Sequence, residues 1–176
     1  MAFKYIISII FVITYILFGD ELGFSSSSPL WTHFTYSFQH ASITHLVINM
    51  LVFITAFRVM EKLISWKVLF PIIYSFAVAA SFFAEQSIPT VGSSGMIYAL
   101  FGMEAVIVLF NRSTIKQKLI FFSAIMFMLL VSFLNSDSNF MVHLLSFAFG
   151  CGFFMTNKRE RSSQIAPSSK TKNNCH

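Results

Sequence analysis

Ser94 stands in the run Gly92-Ser93-Ser94-Gly95, with a polar run from His40 to Asn49 before it and a lone His143 after it. All three lie inside or at the mouth of stretches apolar enough to span a bilayer. Histidine, asparagine and serine are costly there, so each is a functional hypothesis by default. A serine and a histidine on separate membrane helices supply a nucleophile and its base, because a hydroxyl attacks poorly until its proton is removed. His143 is the one histidine downstream of Ser94 that falls in a helical segment. Attack on a peptide carbonyl creates an oxyanion, which needs donors aimed where the charge develops. His45, Asn49 and the Ser94 backbone N–H are candidates for that. Gly92 and Gly95 would let a substrate backbone approach the serine closely.

Positioning such groups requires membrane helices, and the composition provides for them. The 176 residues are 56% hydrophobic and 11% charged, with a mean hydropathy of +0.72. A soluble domain carries about 25% charged residues. Six apolar segments are predicted as spanning helices: about Phe3 to Phe18, Thr44 to Met60, Val68 to Ala84, Ser94 to Phe110, Leu119 to Leu134, and Phe140 to Thr156. Several fall a little short of the roughly 20 residues a bilayer asks for. The first has Lys4 ahead of its apolar stretch and no small-x-small cleavage site after it, so it reads as a retained signal-anchor.

Charge orients the segments. Arg58, Lys62 and Lys67 flank the second connection, Arg112, Lys116 and Lys118 the fourth, and Lys158, Arg159, Arg161, Lys170 and Lys172 crowd the tail. The other connections hold only Asp20, Glu21, Glu85 and Asp137. The positive-inside rule then predicts an all-α membrane bundle of six spans with both termini cytoplasmic. The domain covers residues 1–156, and residues 157–176 form a polar tail expected to be disordered. The net charge of +5 belongs to this topology, so no nucleic-acid partner is expected. Cys151 is in an apolar segment and Cys175 in the tail, so no disulfide, metal or cofactor is expected.

With even-numbered segments entering from the outer side, His45, Asn49, Ser94 and His143 come to comparable depth near their outer ends. His45 and Asn49 share a face at four-residue spacing, as do Ser94 and Tyr98. Gly95, Ala99 and Gly102 on the fourth segment, and Ser146 and Gly150 on the sixth, make small-residue stripes that permit close helix contact in lipid. The connection from Gly19 to about Ile43 carries Trp31, Phe34, Tyr36 and Phe38, aromatics that suit the headgroup region or a substrate gate. His33 is assigned only a loop role there, and Asp137 reads as a solvated loop carboxylate. Glu104, inside the fourth segment, faces away from Ser94 and needs a partner or a watery crevice. Plainer roles exist: Ser94 and its glycines as a packing notch, and His45 and Asn49 as interhelical hydrogen-bonders.

From Trp31 to Gly150 the chain resembles the six-helix bacterial rhomboid intramembrane serine proteases. The family's GxSG motif stands as Gly92-Ser93-Ser94-Gly95, with Ser93 at its variable position, continued by Tyr98-Ala99-Leu100, and its HxxxxHxxxN run as His40, His45 and Asn49. Its base, a histidine followed by small residues, stands as His143 with Ser146 and Gly150, and Glu61-Lys62 falls where the family often places an acidic-basic pair. The sequence departs from the family at Thr32, where arginine often follows the tryptophan, and at Ser146, where a glycine is common.

The resemblance implies cleavage of peptide bonds in or beside transmembrane segments of substrate proteins by a Ser94–His143 dyad without aspartate. It implies an oxyanion site of His45, Asn49 and the Ser94 N–H, Tyr98 stacked on His143, and His40 lining the cavity or bracing its loop. The fifth segment would be a lateral gate. The location implied is a bacterial inner membrane, with the site toward the outer side. Two other functions compete: a catalytically silent client-binding relative, and a small transporter using His40, His45 and His143. Retention of both Ser94 and His143 disfavours the first, and the lack of carboxylates near the histidines disfavours the second.

Overall fold

The computed structural model describes residues 2–165 apart from 20, 26, 85–88, 112 and 136–137, and for residues 157–165 the backbone alone. Asp20, Glu85, Arg112, Asp137, Lys170 and Lys172 therefore lie outside the described residues, as do the side chains of Lys158, Arg159 and Arg161.

Among the described residues the regular structure is helical: α1 Phe3–Phe18, α2 Thr32–Thr35, α3 Ile43–Met60, α4 Trp66–Ser81, α5 Ser94–Phe110, α6 Ile115–Leu134 and α7 Phe140–Ile165. A single 3-10 turn, Tyr36–Phe38, follows α2. Local chemistry explains the shifts from the expected bounds. The Ser42 hydroxyl caps the His45 amide and starts α3 at Ile43. A capping box of Thr114 and Gln117 starts α6 four residues before the expected Leu119, adding a polar first turn that hydropathy overlooks. At the other extreme α7 runs past Thr156 to Ile165, so the first part of the tail expected to be disordered has helical backbone.

Helix α5 is the hub. It is apolar on every side, and nearly every residue from Gly95 to Val106 is buried, as fits an interior helix rather than an amphipathic one. Helices α3, α4, α6 and α7 pack around it, and α1 lies outside on α3. The α5–α7 contact is the most intimate of these. A Cβ placed on Gly102 would collide with the Phe147 carbonyl and the Cys151 amide, and one on Gly150 with the Ala99 carbonyl. The Cys151 thiol also donates to the Gly102 carbonyl at 3.3 Å.

The outer surface is oily. Ile16, Leu51, Phe127, Phe133 and Leu134 are among the exposed side chains, far more apolar surface than a water-soluble monomer presents. Helices α3 and α6 are long and apolar enough to cross a membrane, while Phe3–Phe18, Trp66–Ser81, Ser94–Phe110 and Phe140–Thr156 are shorter apolar helices. Lys4, expected only as a flanking charge, is instead buried and ion-paired with Glu61, tying the start of α1 to the end of α3. Glu104 is buried on α5, and its Oε1 has no partner among the described residues.

The α5–α7 seam makes a prediction. Gly102→Ala and Gly150→Ala should each destabilise the protein by about 1–3 kcal/mol through overpacking. Gly152→Ala, whose added methyl meets nothing within 4 Å, should not. Thermal melts in detergent compare the three.

Candidate active site

The N-terminal ends of α3, α5 and α7 converge on a cavity of about 650 Å³ whose walls include His45, Thr90, Ser94, Asn139 and His143. Ser94 is the first residue of α5, and its half-buried side chain lines the cavity. Its backbone N–H belongs to the first turn, where helix geometry supplies no intrahelical acceptor. His143 sits one turn into α7 and is buried. Its Nε2 lies 2.7 Å from Ser94 Oγ.

The far side of the His143 ring is also engaged. Nδ1 is 2.6 Å from the Ser132 hydroxyl on α6, and Ser132 in turn is 2.8 Å from the Ser138 hydroxyl. Tyr98 stacks on the imidazole with centroids 4.4 Å apart and planes inclined by 20°. The ring is therefore held at both nitrogens and on one face. A neutral imidazole so held can accept the Ser94 proton at Nε2 while Nδ1 carries its own hydrogen.

Helix α3 brings His45 and Asn49 to the loop that precedes Ser94. Gly92 has φ of +121°, and a Cβ there would meet His45 Cε1 at 2.8 Å and Asn49 Nδ2 at 3.7 Å. His45 reaches the cavity wall, whereas Asn49 is buried and is not among the described residues lining it. The need for glycine at 92 is thus its own backbone and the space for His45, rather than substrate approach. Gly95 likewise faces inward, close to Ala77, the Tyr36 hydroxyl and Val142. The expectation that Gly95 opens a path for substrate is corrected: it is a packing glycine.

His40 is buried and braces the loop instead of lining the cavity. Its Nε2 is 3.4 Å from the Ser93 hydroxyl, and its ring packs on Phe11 and edge-on to His45. Burial, with His45 beside it, pushes the His40 imidazole down to about 3, so it is neutral at physiological pH. Ser93, read as merely variable, is fully buried against His40.

Other supports escaped the sequence reading. The Gly92 amide donates to the Tyr36 carbonyl at 3.0 Å, and the buried Tyr36 hydroxyl donates to the Ala77 carbonyl at 2.8 Å. Phe24 and Thr90 pair as an isolated antiparallel bridge, and Asn139 donates to the Thr90 hydroxyl at 3.0 Å. His33 is more than a loop residue. It is sandwiched between Phe24 and Phe82 and hydrogen-bonded to Ser81 at 2.8 Å. The expected aromatic belt divides accordingly, with Trp31 and Phe34 exposed and Tyr36 in the core. Thr32, the departure after Trp31, is buried and donates to the Pro29 carbonyl at 2.7 Å. The one signal for Ser132 was a hydroxyl in an otherwise oily helix, which α6 also shows at Ser123.

Comparison with known proteins agrees with this architecture. The family model described as "Rhomboid domain" matches residues 27–159. The "Putative rhomboid protease YdcA" of Bacillus subtilis (strain 168) is 29% identical over 152 residues, which cover 81% of this chain and 75% of that protein.

The positive φ of Gly92 gives a direct test. Gly92→Ala should lower stability by about 1–3 kcal/mol, since a side chain is forced into a backbone conformation it rarely adopts and against His45. The shift in melting temperature measures it.

Proposed function

The chain belongs to the rhomboid family, and from that premise we propose that it is an intramembrane serine endopeptidase with Ser94 as nucleophile and His143 as base. The observation that carries this reading is the 2.7 Å approach of His143 Nε2 to Ser94 Oγ at the wall of the cavity. Ser94 Oγ attacks the peptide carbonyl carbon as its proton passes to His143 Nε2. The resulting oxyanion is met by the Ser94 N–H at the start of α5, where the helix dipole also favours negative charge. His45, which reaches the cavity wall beside Gly92, completes the donor set, and Asn49, buried one turn further along the same face of α3, supports it.

The intermediate collapses when the C–N bond breaks and His143 returns the proton to the leaving amine, which leaves an acyl-enzyme on Ser94. Water, deprotonated by His143, then releases the acid and restores the serine. Tyr98 holds the imidazole plane through both halves, and His40 keeps the oxyanion loop in place.

We place the protein in a bilayer as six spans, α1 and α3 to α7, with both termini cytoplasmic and the cavity toward the outer side. Residues 1–156 form the membrane domain and 157–176 a cytoplasmic tail. The location that fits is a bacterial inner membrane. Substrates are membrane proteins cut in or beside a span, entering past α6, the most exposed of the helices around α5. No cofactor takes part in this scheme. A binding-only protein would have no need of a buried imidazole on a serine hydroxyl. Metal transport is disfavoured by the lack of any cluster of three metal ligands among the described residues.

In proteoliposomes with a transmembrane peptide, wild type should cleave. Ser94→Ala and His143→Ala should each lose at least about a thousandfold in rate. Replacing His45 by Ala should cost about 10²–10³ in kcat, and Asn49→Ala, which removes a buried neighbour rather than a cavity-lining donor, should cost less. Chelators should change nothing. A wild type that leaves the peptide whole, or Ser94→Ala cutting at the wild-type rate, would overturn the reading.

A further inference from the structure

Helix α6 buries only Ile125, Leu129 and Ser132, a stripe at four- and three-residue spacing. The first two are the expected apolar anchors. The third is a hydroxyl where another aliphatic side chain would pack equally well. Serine and threonine in helices usually turn back to a carbonyl three or four residues earlier, as Ser8, Thr14, Thr55 and Ser81 do here. Ser132 is turned across the helix interface instead, 2.6 Å from His143 Nδ1 and 2.8 Å from the Ser138 hydroxyl.

Hydrogen counting orders this chain. If His143 Nε2 accepts the Ser94 O–H, Nδ1 must carry the one hydrogen of the neutral ring and donate it. Its partner must then accept, and the Ser132 hydroxyl does so while giving its own hydrogen to Ser138. The reverse arrangement, with Ser132 donating to Nδ1, would place the hydrogen on Nε2 and deprive Ser94 of its acceptor.

We propose that Ser132 is a positioning residue for the base. Its Oγ accepts the His143 Nδ1–H and fixes the tautomer whose Nε2 faces Ser94, the place an aspartate takes in a three-residue relay. This rests on the Ser94–His143 reading. No proton leaves Nδ1 in the cycle; the serine proton moves to Nε2 and back, and Ser132 holds the Nδ1 hydrogen throughout. Because Ser132 belongs to α6, the base is fully oriented only while α6 is docked on α7.

The test uses the full-length protein in proteoliposomes with the transmembrane peptide, with Ser94→Ala as the inactive reference. Ser132→Ala should lower kcat about tenfold, the effect of one buried neutral hydrogen bond, with KM within about twofold. Labelling of Ser94 by a fluorophosphonate, which needs no peptide binding, should slow in parallel. Ser132→Thr keeps the hydroxyl and should restore kcat to within about threefold. Ser123→Ala, an exposed hydroxyl on the same helix, should act as wild type. Ser132→Ala with wild-type kcat and labelling, in a preparation where Ser94→Ala is dead, overturns the positioning role and leaves the protease reading standing. Equal loss in Ser132→Ala and Ser132→Thr, matched by a lower melting temperature, reduces Ser132 to a structural anchor and also overturns it. A wild type that cleaves nothing overturns both.

Discussion

Everything at the site depends on how closely α5 and α7 approach. Water does not drive helices together inside a bilayer, so contact there is set by how far the backbones can close. Gly102 and Gly150 remove the two side-chain stubs that would otherwise strike the opposing carbonyls. Ser94 lies about 12 Å along α5 from Gly102, and a helix is stiff enough to carry the close contact over that distance. The Ser94–His143 distance of 2.7 Å is therefore a property of the seam as much as of the two residues. A wider seam would leave the same two side chains in place and out of reach.

A second constraint is polarity. The interior holds hydroxyls, amides and imidazoles that would be penalised in hydrocarbon unless paired, and most of them serve the loops over the site. Tyr36 fastens the loop before Ser94 to α4 through Ala77 and receives the Gly92 amide on its carbonyl. Thr90 joins that loop to Phe24 on one side and Asn139 on the other. His40, kept neutral by burial, lies against Ser93 without placing a charge in the core. The bonds that make these polar groups tolerable in the core are the same ones that tie the loops to neighbouring elements.

These bonds separate what the chain displays locally from what it conceals. Ser94, His143, His45 and Asn49 were legible because polar residues are conspicuous in an oily sequence. The ends of α1 and α5 were legible because hydropathy changes abruptly there. The start of α6 was not, since its first turn is polar and held by a capping box. Gly92 and Gly95 were recognised as special for a different reason from the one that holds. A glycine's role depends on what occupies the space beside it, and the occupants, His45 and Tyr36, are distant in the chain.

By itself, then, the sequence determined a rhomboid-like helical chain in which a serine and a histidine stand out on separate apolar segments, because hydropathy, spacing and residue chemistry are local properties. Tertiary structure decided who touches whom. It turned Ser132 onto the second nitrogen of His143, buried Lys4 against Glu61, set His33 between two aromatic rings, and made the small-residue stripes of α5 and α7 into a single seam. Those contacts join residues tens of positions apart or on different helices. The geometry that orders them exists only once the helices have packed.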